Sequence, residues 1–310
     1  MNAPGTAAVL CIGEVLWDIF PDHRCLGGAP FNVACHLRAL GVETAIVSRV
    51  GSDPEGSEIL DLAEAHGLPR DLLQVDDALP TGRVTVTLGA QGVPSYRIEA
   101  PAAWDAIEAS AAARSAASRA SAIVYGTLAQ RRPRSRGTLR ELLRSSALKV
   151  LDVNLRPPHD DRACAEMTLY RSDMVKLNDA EMDRLCDWFE IAGRGAARIA
   201  ALARRFGLSA VCVTRGDRGA SLWRHGRLVE HDGFAVTVED TVGSGDAFLA
   251  ALLARLLAGE EPEVALAWAN ATGAFVAARR GATPELDLGA IGAMVRESLA
   301  GPMGAGTHAG

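Results

Sequence analysis

The sequence predicts an α/β protein: a doubly wound, mostly parallel sheet with helices on both faces and a small β lid. Three observations carry this. Short apolar runs at 8–13, 44–50, 122–125, 149–153, 174–176 and 210–214 are bounded by polar residues or glycine, as strands buried on both faces of a parallel sheet are. Segments of helical periodicity separate them. The alternation breaks once, between 81 and 103, where β-type residues and turns stand in place of a helix.

In chain order, the run at 8–13 ends in Gly13, and 15–20 continues it with an acidic interruption at Asp18. The first helix, over 31–40, sets Phe31, Val33, Ala34, Leu37 and Leu40 as its apolar residues and is stopped by Gly41. Segments 56–66, 135–145, 179–189, 196–206 and 246–258 read likewise. Within 83–88, Val84, Val86 and Leu88 alternate with Thr85 and Thr87, and the turn residues Gly89 and Gly92-Val93-Pro94 follow. A hairpin here interrupts an α/β domain, so it must lie outside the main sheet, as a lid. The stretch 102–122 is rich in alanine and serine, yet Trp104, Ile107 and its spaced arginines fit a helix better than a linker. One domain over 1–300 is expected, with 301–310 as a glycine-rich, frayed tail.

Composition narrows the function. The chain has 310 residues, 48% hydrophobic, 23% charged and 5% aromatic, enough for a core that needs neither disulfides nor a structural metal. Thirty-two basic against 38 acidic side chains give −6, which removes the footprint of a general nucleic-acid binder. No apolar stretch reaches the ~20 residues that span a bilayer; the best, 247–257, is short and carries Arg255. No basic residue precedes Arg24, so a secretory signal with a charged start is not expected. The six cysteines are scattered without a C-x-x-C pair and read as small core residues of a reducing cytoplasm. A soluble cytoplasmic protein is expected.

Two segments carry chemistry. In Glu239-Asp240-Thr241-Val242-Gly243-Ser244-Gly245-Asp246, two alternate glycines let backbone N–H groups converge on an external atom. The helix that follows adds unpaired N–H groups and the positive end of its dipole, which makes an anion site. Asp246 would repel a bound phosphate unless it is there to take a proton from an attacking hydroxyl. The alternative is that Ser244 or Asp246 merely caps the helix. The segment is not a Walker A loop, since no Lys-Ser or Lys-Thr follows the glycines, nor a dinucleotide fingerprint, since Phe248 takes the third glycine's place. The second segment, Leu26-Gly27-Gly28-Ala29-Pro30-Phe31-Asn32, is a tight turn opening a helix. With Asp18 upstream, Asn32 offers groups suited to sugar hydroxyls, although a plain turn and helix start would look the same.

Gly27-Gly28-Ala29-Pro30-Phe31-Asn32 and Asp240-Thr241-Val242-Gly243-Ser244-Gly245-Asp246 resemble the two signatures of the ribokinase-like (PfkB) carbohydrate kinases. The resemblance runs over about 9–294, with further pieces in the family's order: 50–56, Asp152-Val153-Asn154-Leu155-Arg156, Lys176-Leu177-Asn178-Asp179-Ala180-Glu181 and 214–219. Gly13-Glu14-Val15-Leu16-Trp17-Asp18, Tyr125-Gly126-Thr127-Leu128-Ala129-Gln130-Arg131 and Asn154-Leu155-Arg156-Pro157 are most similar to bacterial fructokinases.

This resemblance implies a ribokinase-like three-layer α/β/α fold whose lid is formed by roughly 14–26 and 81–103. It implies ATP-dependent phosphorylation of a primary hydroxyl, D-fructose to fructose 6-phosphate first. A 2-keto-3-deoxygluconate, ribose or nucleoside kinase remains open, as does a non-catalytic sugar-binding regulator on the same fold. By the same resemblance Asp246 is the base, and the N–H groups of Gly243, Ser244 and Gly245 form the anion hole. Asn178 and Glu181 match an N-x-x-E motif that orders Mg²⁺ through water, with Lys176 on the cofactor side. A capping Asn178 with a surface Glu181 is the plainer reading of that pair. Arg156 meets phosphate or sugar oxygens through its fork. The sugar lies among Asp18, Gly28, Asn32 and the lid, with Arg97 reaching in or merely solvated, and with Gln130 and Arg131 at the border. Adenine lies near Thr214, Gly216, Gly219 and Asn270. Asp240 is the candidate for holding a monovalent cation such as K⁺. The partners implied are a small sugar and ATP, not nucleic acid or membrane, and a homodimer is left open.

Overall fold

The computed structural model describes residues 8–88 and 94–300. The expected turn at 89–93 and the expected tail at 301–310 lie outside the described residues. Nine strands form the main sheet: β1 (Ala8–Ile12), β4 (Glu43–Gly51), β5 (Leu73–Asp76), β8 (Ala122–Gly126), β9 (Leu148–Asp152), β10 (Met174–Asn178), β11 (Ala210–Thr214), β12 (Ala220–Arg224) and β13 (Arg227–His231). Their spatial order is β13-β12-β11-β10-β9-β8-β1-β4-β5. From β11 to β5 every pair is parallel, while β12 and β13 close one edge antiparallel. The chain leaves β1 toward β4 and later returns to β8 on its other side. In open α/β sheets ligands bind where the order reverses, beyond the carboxyl ends of the strands.

Period-two alternation along buried strands sorts the core into two layers. In β1, Leu10 and Ile12 face one core with Ile123, Tyr125 and Leu151, under α3 (Ala111–Arg119), α4 (Pro133–Leu142), α5 (Arg162–Leu169), α6 (Asp179–Phe189) and α7 (Gly195–Phe206). Val9 and Cys11 face the other with Val124 and Val150, under α1 (Ala29–Ala39), α2 (Pro54–Ala65), α8 (Ser244–Leu257) and α9 (Pro262–Ala277). The last helix, α10 (Leu288–Ala300), lays Ile291 and Val295 on Ala271 and Phe275 of α9. The architecture is the three-layer α/β/α sandwich that the resemblance implies. No helix among the described residues is long and apolar enough to cross a membrane.

A second sheet stands apart, ordered β3-β2-β6-β7, from β2 (Leu16–Ile19), β3 (Arg24–Gly27), β6 (Gly82–Leu88) and β7 (Pro94–Ile98). The run at 15–20 therefore does not extend β1. It is a strand of this second sheet, antiparallel to β3 and parallel to β6. Both stems of the later excursion are tied to the main body. Asp53 accepts bonds from the Thr81 N–H (2.8 Å) and hydroxyl (2.7 Å). Arg131, 3% exposed, stacks on Trp104 at 3.8 Å, pairs with Asp105 and donates to the Glu99 carbonyl at 2.8 Å.

The expected helix over 102–122 is only half present. Ala103–Ala106 is one 3₁₀ turn, and α3 begins at Ala111 with Ser110 as its cap. Burial of Trp104 and Ile107 explains the sequence signal, since both serve the core from an irregular segment.

Candidate functional site

The carboxyl ends of β9, β10 and β11, the loop after β1 and the N-termini of α1 and α8 supply the site. Asp246 lies in the first turn of α8, half-buried, and its Oδ2 accepts a 2.8 Å bond from the Asn32 Nδ2 of α1. Burial, reinforced by Asp152, pushes its carboxyl up to about 6, while Lys176, the Asn32 bond and Arg156 oppose the shift. The helix-capping alternative is not what the structure has: the N-cap is Gly243, with no side-chain cap bond.

The loop before α8 needs its glycine. Gly243 has φ +76°, and a Cβ there would lie 2.6 Å from Cα and 2.7 Å from the carbonyl carbon of Ala282. Ser244 turns inward, its N–H (3.3 Å) and hydroxyl (2.8 Å) both donating to the Thr241 carbonyl. Of the three N–H groups expected to form an anion hole, this engages one. Ser244 is partly spent on the turn, while among the described residues the Gly243, Gly245 and Asp246 N–H groups have no acceptor. Gly243→Ala should lower the melting temperature, as strain of ~1–3 kcal/mol does. Thermal denaturation of the variant beside the parent protein reads this.

Below the loop lies a buried ion cluster. Lys176 of β10 places Nζ 3.1 Å from both Asp152 oxygens, directly under Gly245. Burial alone would favour the neutral amine, but Asp152, Asp246 and Glu181 outweigh it and hold the ammonium above the ordinary lysine range. Glu181 is buried, not on the surface. Its carboxylate accepts from the N–H groups of Leu155 (2.8 Å) and Asn178 (2.9 Å), and Asn178 Oδ1 accepts from the Glu181 N–H at 2.8 Å. This is a capping box at the start of α6. Burial and Asp152 raise the Glu181 carboxyl despite these bonds.

On the lid side, Asp18 of β2 packs over Gly27, and burial pushes its carboxyl up to about 6 against the pull of Arg156. Gly28, at φ +108°, lets the backbone at Glu14 and Val15 approach, which a Cβ would block. Asn32 is 4% exposed, and its Oδ1 is buried without a partner among the described residues. Arg156 is exposed, with its charge in reach of Glu14, Asp18 and Asp246.

Other expected residues stand apart. Gln130 is 2% exposed and internally bonded, its amide to the Gly126 carbonyl at 2.8 Å and its oxygen to Thr168 at 3.1 Å. Both ends of its amide are engaged inside the protein, and Arg131 is committed to Asp105. Arg97 is 78% exposed on β7, loosely paired with Glu99 at 3.7 Å. Thr214 ends β11, and Gly216 and Gly219 bracket the turn after it, both with positive φ. Asn270 is buried on α9, bonded to the Leu266 carbonyl at 2.8 Å. The Asp240 carboxylate accepts from the N–H groups of Val242 (3.0 Å) and Gly281 (3.2 Å), tying two loops together.

One acid escaped the sequence reading. Glu14, 2% exposed, has a buried Oε2 with no partner among the described residues. Burial drives it up to about 7, its own backbone N–H and Arg156 opposing and Asp246 and Asp152 adding to the rise. It lay in a quoted motif, but nothing local marked it as buried.

Comparison with known proteins fits this geometry. The chain is 28% identical over 296 residues to a fructokinase of Klebsiella pneumoniae, covering 89% of this chain and 94% of that one. Its fold superposes on a fructokinase of Xylella fastidiosa with bound ATP at a TM-score of 0.83 and 23% identity, covering 94% of this chain and 99% of that one. A fructokinase of Vibrio cholerae O395 in its fructose, ADP and calcium ion bound form gives 0.81 at 24% identity, covering 94% and 99%. Residues 22–287 match the pfkB family carbohydrate kinases, and the chain belongs to that family.

Proposed function

We propose that this carbohydrate kinase is a fructokinase, transferring the γ-phosphoryl of ATP to the primary hydroxyl of D-fructose. The observation that carries the chemistry is Asp246, half-buried in the first turn of α8 and held by Asn32. With its carboxyl near 6, Asp246 is mostly ionised at neutral pH and able to accept the hydroxyl proton as the oxygen attacks phosphorus. The Gly245 and Asp246 N–H groups meet the charge on the transferred phosphoryl, and Arg156 adds a cation from the exposed side. Asn32 Oδ1, unpartnered and buried, suits a sugar hydroxyl, with Asp18 as a second acceptor. The lid sheet carries Asp18 and lies over this side, where exclusion of water protects the phosphoryl donor.

Mg²⁺ fits the donor set through water. Asn178 and Glu181 stand together as a capping box at the start of α6, and their oxygens keep lone pairs for the waters of an ion that arrives with the phosphates. Asn178 and Glu181 would face that hydrated ion and supply oxygen acceptors to it, and Mg²⁺ would neutralise phosphate charge. Asp240 is the candidate for a monovalent cation.

Fructokinase relatives along nearly the whole chain favour fructose. The test is ADP release with Mg-ATP over a panel of fructose, ribose, 2-keto-3-deoxygluconate and adenosine. Fructose should give the highest kcat/KM. Turnover of another acceptor without fructose would overturn the sugar and leave the kinase. Sugar binding without ADP release from any acceptor would favour the non-catalytic regulator.

A further inference from the structure

His36 lies one turn along α1 from Asn32, and it is 1% exposed. Its Nε2 sits 2.9 Å from the carbonyl oxygen of Ala282, in the segment that follows α9. Burial drives the imidazole down to about 4, with the nearby His66 adding and the Ala282 bond opposing, so the ring is neutral and Nε2–H is the donor. Ala282 is the residue against which Gly243 packs without room for a Cβ. The same segment meets the loop before α8 twice more, through Gly281 N–H to Asp240 at 3.2 Å and through Arg280 to Glu239 at 2.8 Å. Among the described residues, the His36 bond is the hydrogen bond that joins α1 to this segment.

One helix therefore holds both halves of the site. Asn32 holds the base directly, and His36 holds the wall on which Gly243 rests. We infer that His36 is a positioning residue for nucleotide binding, fixing the Ala282 carbonyl so that the loop before α8 keeps its N–H groups aimed at the phosphates. This rests on the reading of that loop as the phosphate site. His36 touches no reacting atom, and its effect passes through Ala282 and Gly243. A purely structural histidine would change how much protein folds, not how the folded protein binds nucleotide.

The test is Mg-ATP binding by titration calorimetry on the full chain, followed by kinetics with D-fructose. His36→Leu keeps the bulk and removes the donor. It should weaken Mg-ATP binding and raise KM for ATP about tenfold, the size of effect that one buried hydrogen bond carries. The dissociation constant for fructose should hold. His36→Gln, whose amide nitrogen reaches the same place, should recover most of the affinity. If the leucine variant does not fold, His36→Asn retracts the donor and should show the same loss. Leucine or asparagine variants that bind Mg-ATP as wild type does would overturn the inference, and so would a folded glutamine variant without recovery. Failure of the underlying reading looks different: wild type would itself bind no Mg-ATP, or bind it without phosphorylating any sugar.

Discussion

Asp246→Asn is expected to lower kcat by about 10²- to 10⁴-fold, the usual contribution of a positioned general base. The amide keeps the size of the carboxyl, and its oxygen can still accept the Asn32 bond. It also removes a negative charge facing Asp152 inside a buried cluster. The sugar dissociation constant and the melting temperature should therefore stay near wild type. In the wild-type enzyme, kcat/KM should rise with pH through an apparent value near 6, because the base works only when ionised. Glu14, near 7 in the same cluster, couples to this titration, so the limb reports the pair rather than one residue. Steady-state kinetics from pH 5 to pH 9 with parallel sugar titrations test this. A variant that keeps most of its kcat would remove Asp246 from the base role.

Lys176→Met should have the largest effect on stability. It leaves Asp152, Asp246 and Glu181 together beneath the loop without the ammonium that holds them. Breaking a buried pair by removing one partner costs about 3–5 kcal/mol. The carboxyls respond by holding protons, so their folded-state affinity for protons exceeds that of the unfolded chain. Stability from such groups is present at low pH and lost as pH rises through the folded value. The deficit of the variant should thus be smaller at pH 5 than at pH 8, in denaturant titrations of both proteins. Because Lys176 also pulls Asp246 down, its loss should move the acid limb of the rate profile to higher pH. Equal deficits at both pH values would overturn the reading that the Lys176 ammonium holds this group of carboxyls together.

The residues legible in the sequence are those whose chemistry is local. Gly243, Gly245 and Asp246 occur within one turn, and the backbone freedom of the glycines and the misplaced carboxylate speak for themselves. Six of the seven parallel strands showed because burial on both faces leaves continuous apolar runs, whereas β5 at the sheet edge, with Val75 exposed, did not. β12 and β13 did not, since Trp223 and the arginines at 224 and 227 break the apolar pattern at an exposed edge. β3 was hidden for the same reason, with Arg24 opening a lid strand. Long-range partnership is what the chain order conceals. Glu181 looked like a surface acid until the Leu155 N–H, 26 residues away, was seen to bury it. Gln130 looked available because the Thr168 hydroxyl that occupies its oxygen lies 38 residues on. His36 offered nothing at all in sequence, since its partner is a backbone carbonyl 246 residues distant.

The two anchored stems of the lid have a bearing on how this protein can vary. Asp53 grips the chain where it leaves at Thr81, and Arg131 grips it where it returns at Glu99. Neither grip uses a side chain from the intervening strands. The excursion is thus fixed where it leaves and where it returns, and within its first strand Arg83 adds an ion pair to Glu55 of α2 at 2.7 Å. Sequence change in this family member is therefore tolerated more readily between the two grips than at Asp53, Thr81, Asp105 or Arg131, whose partners fix both ends of the excursion.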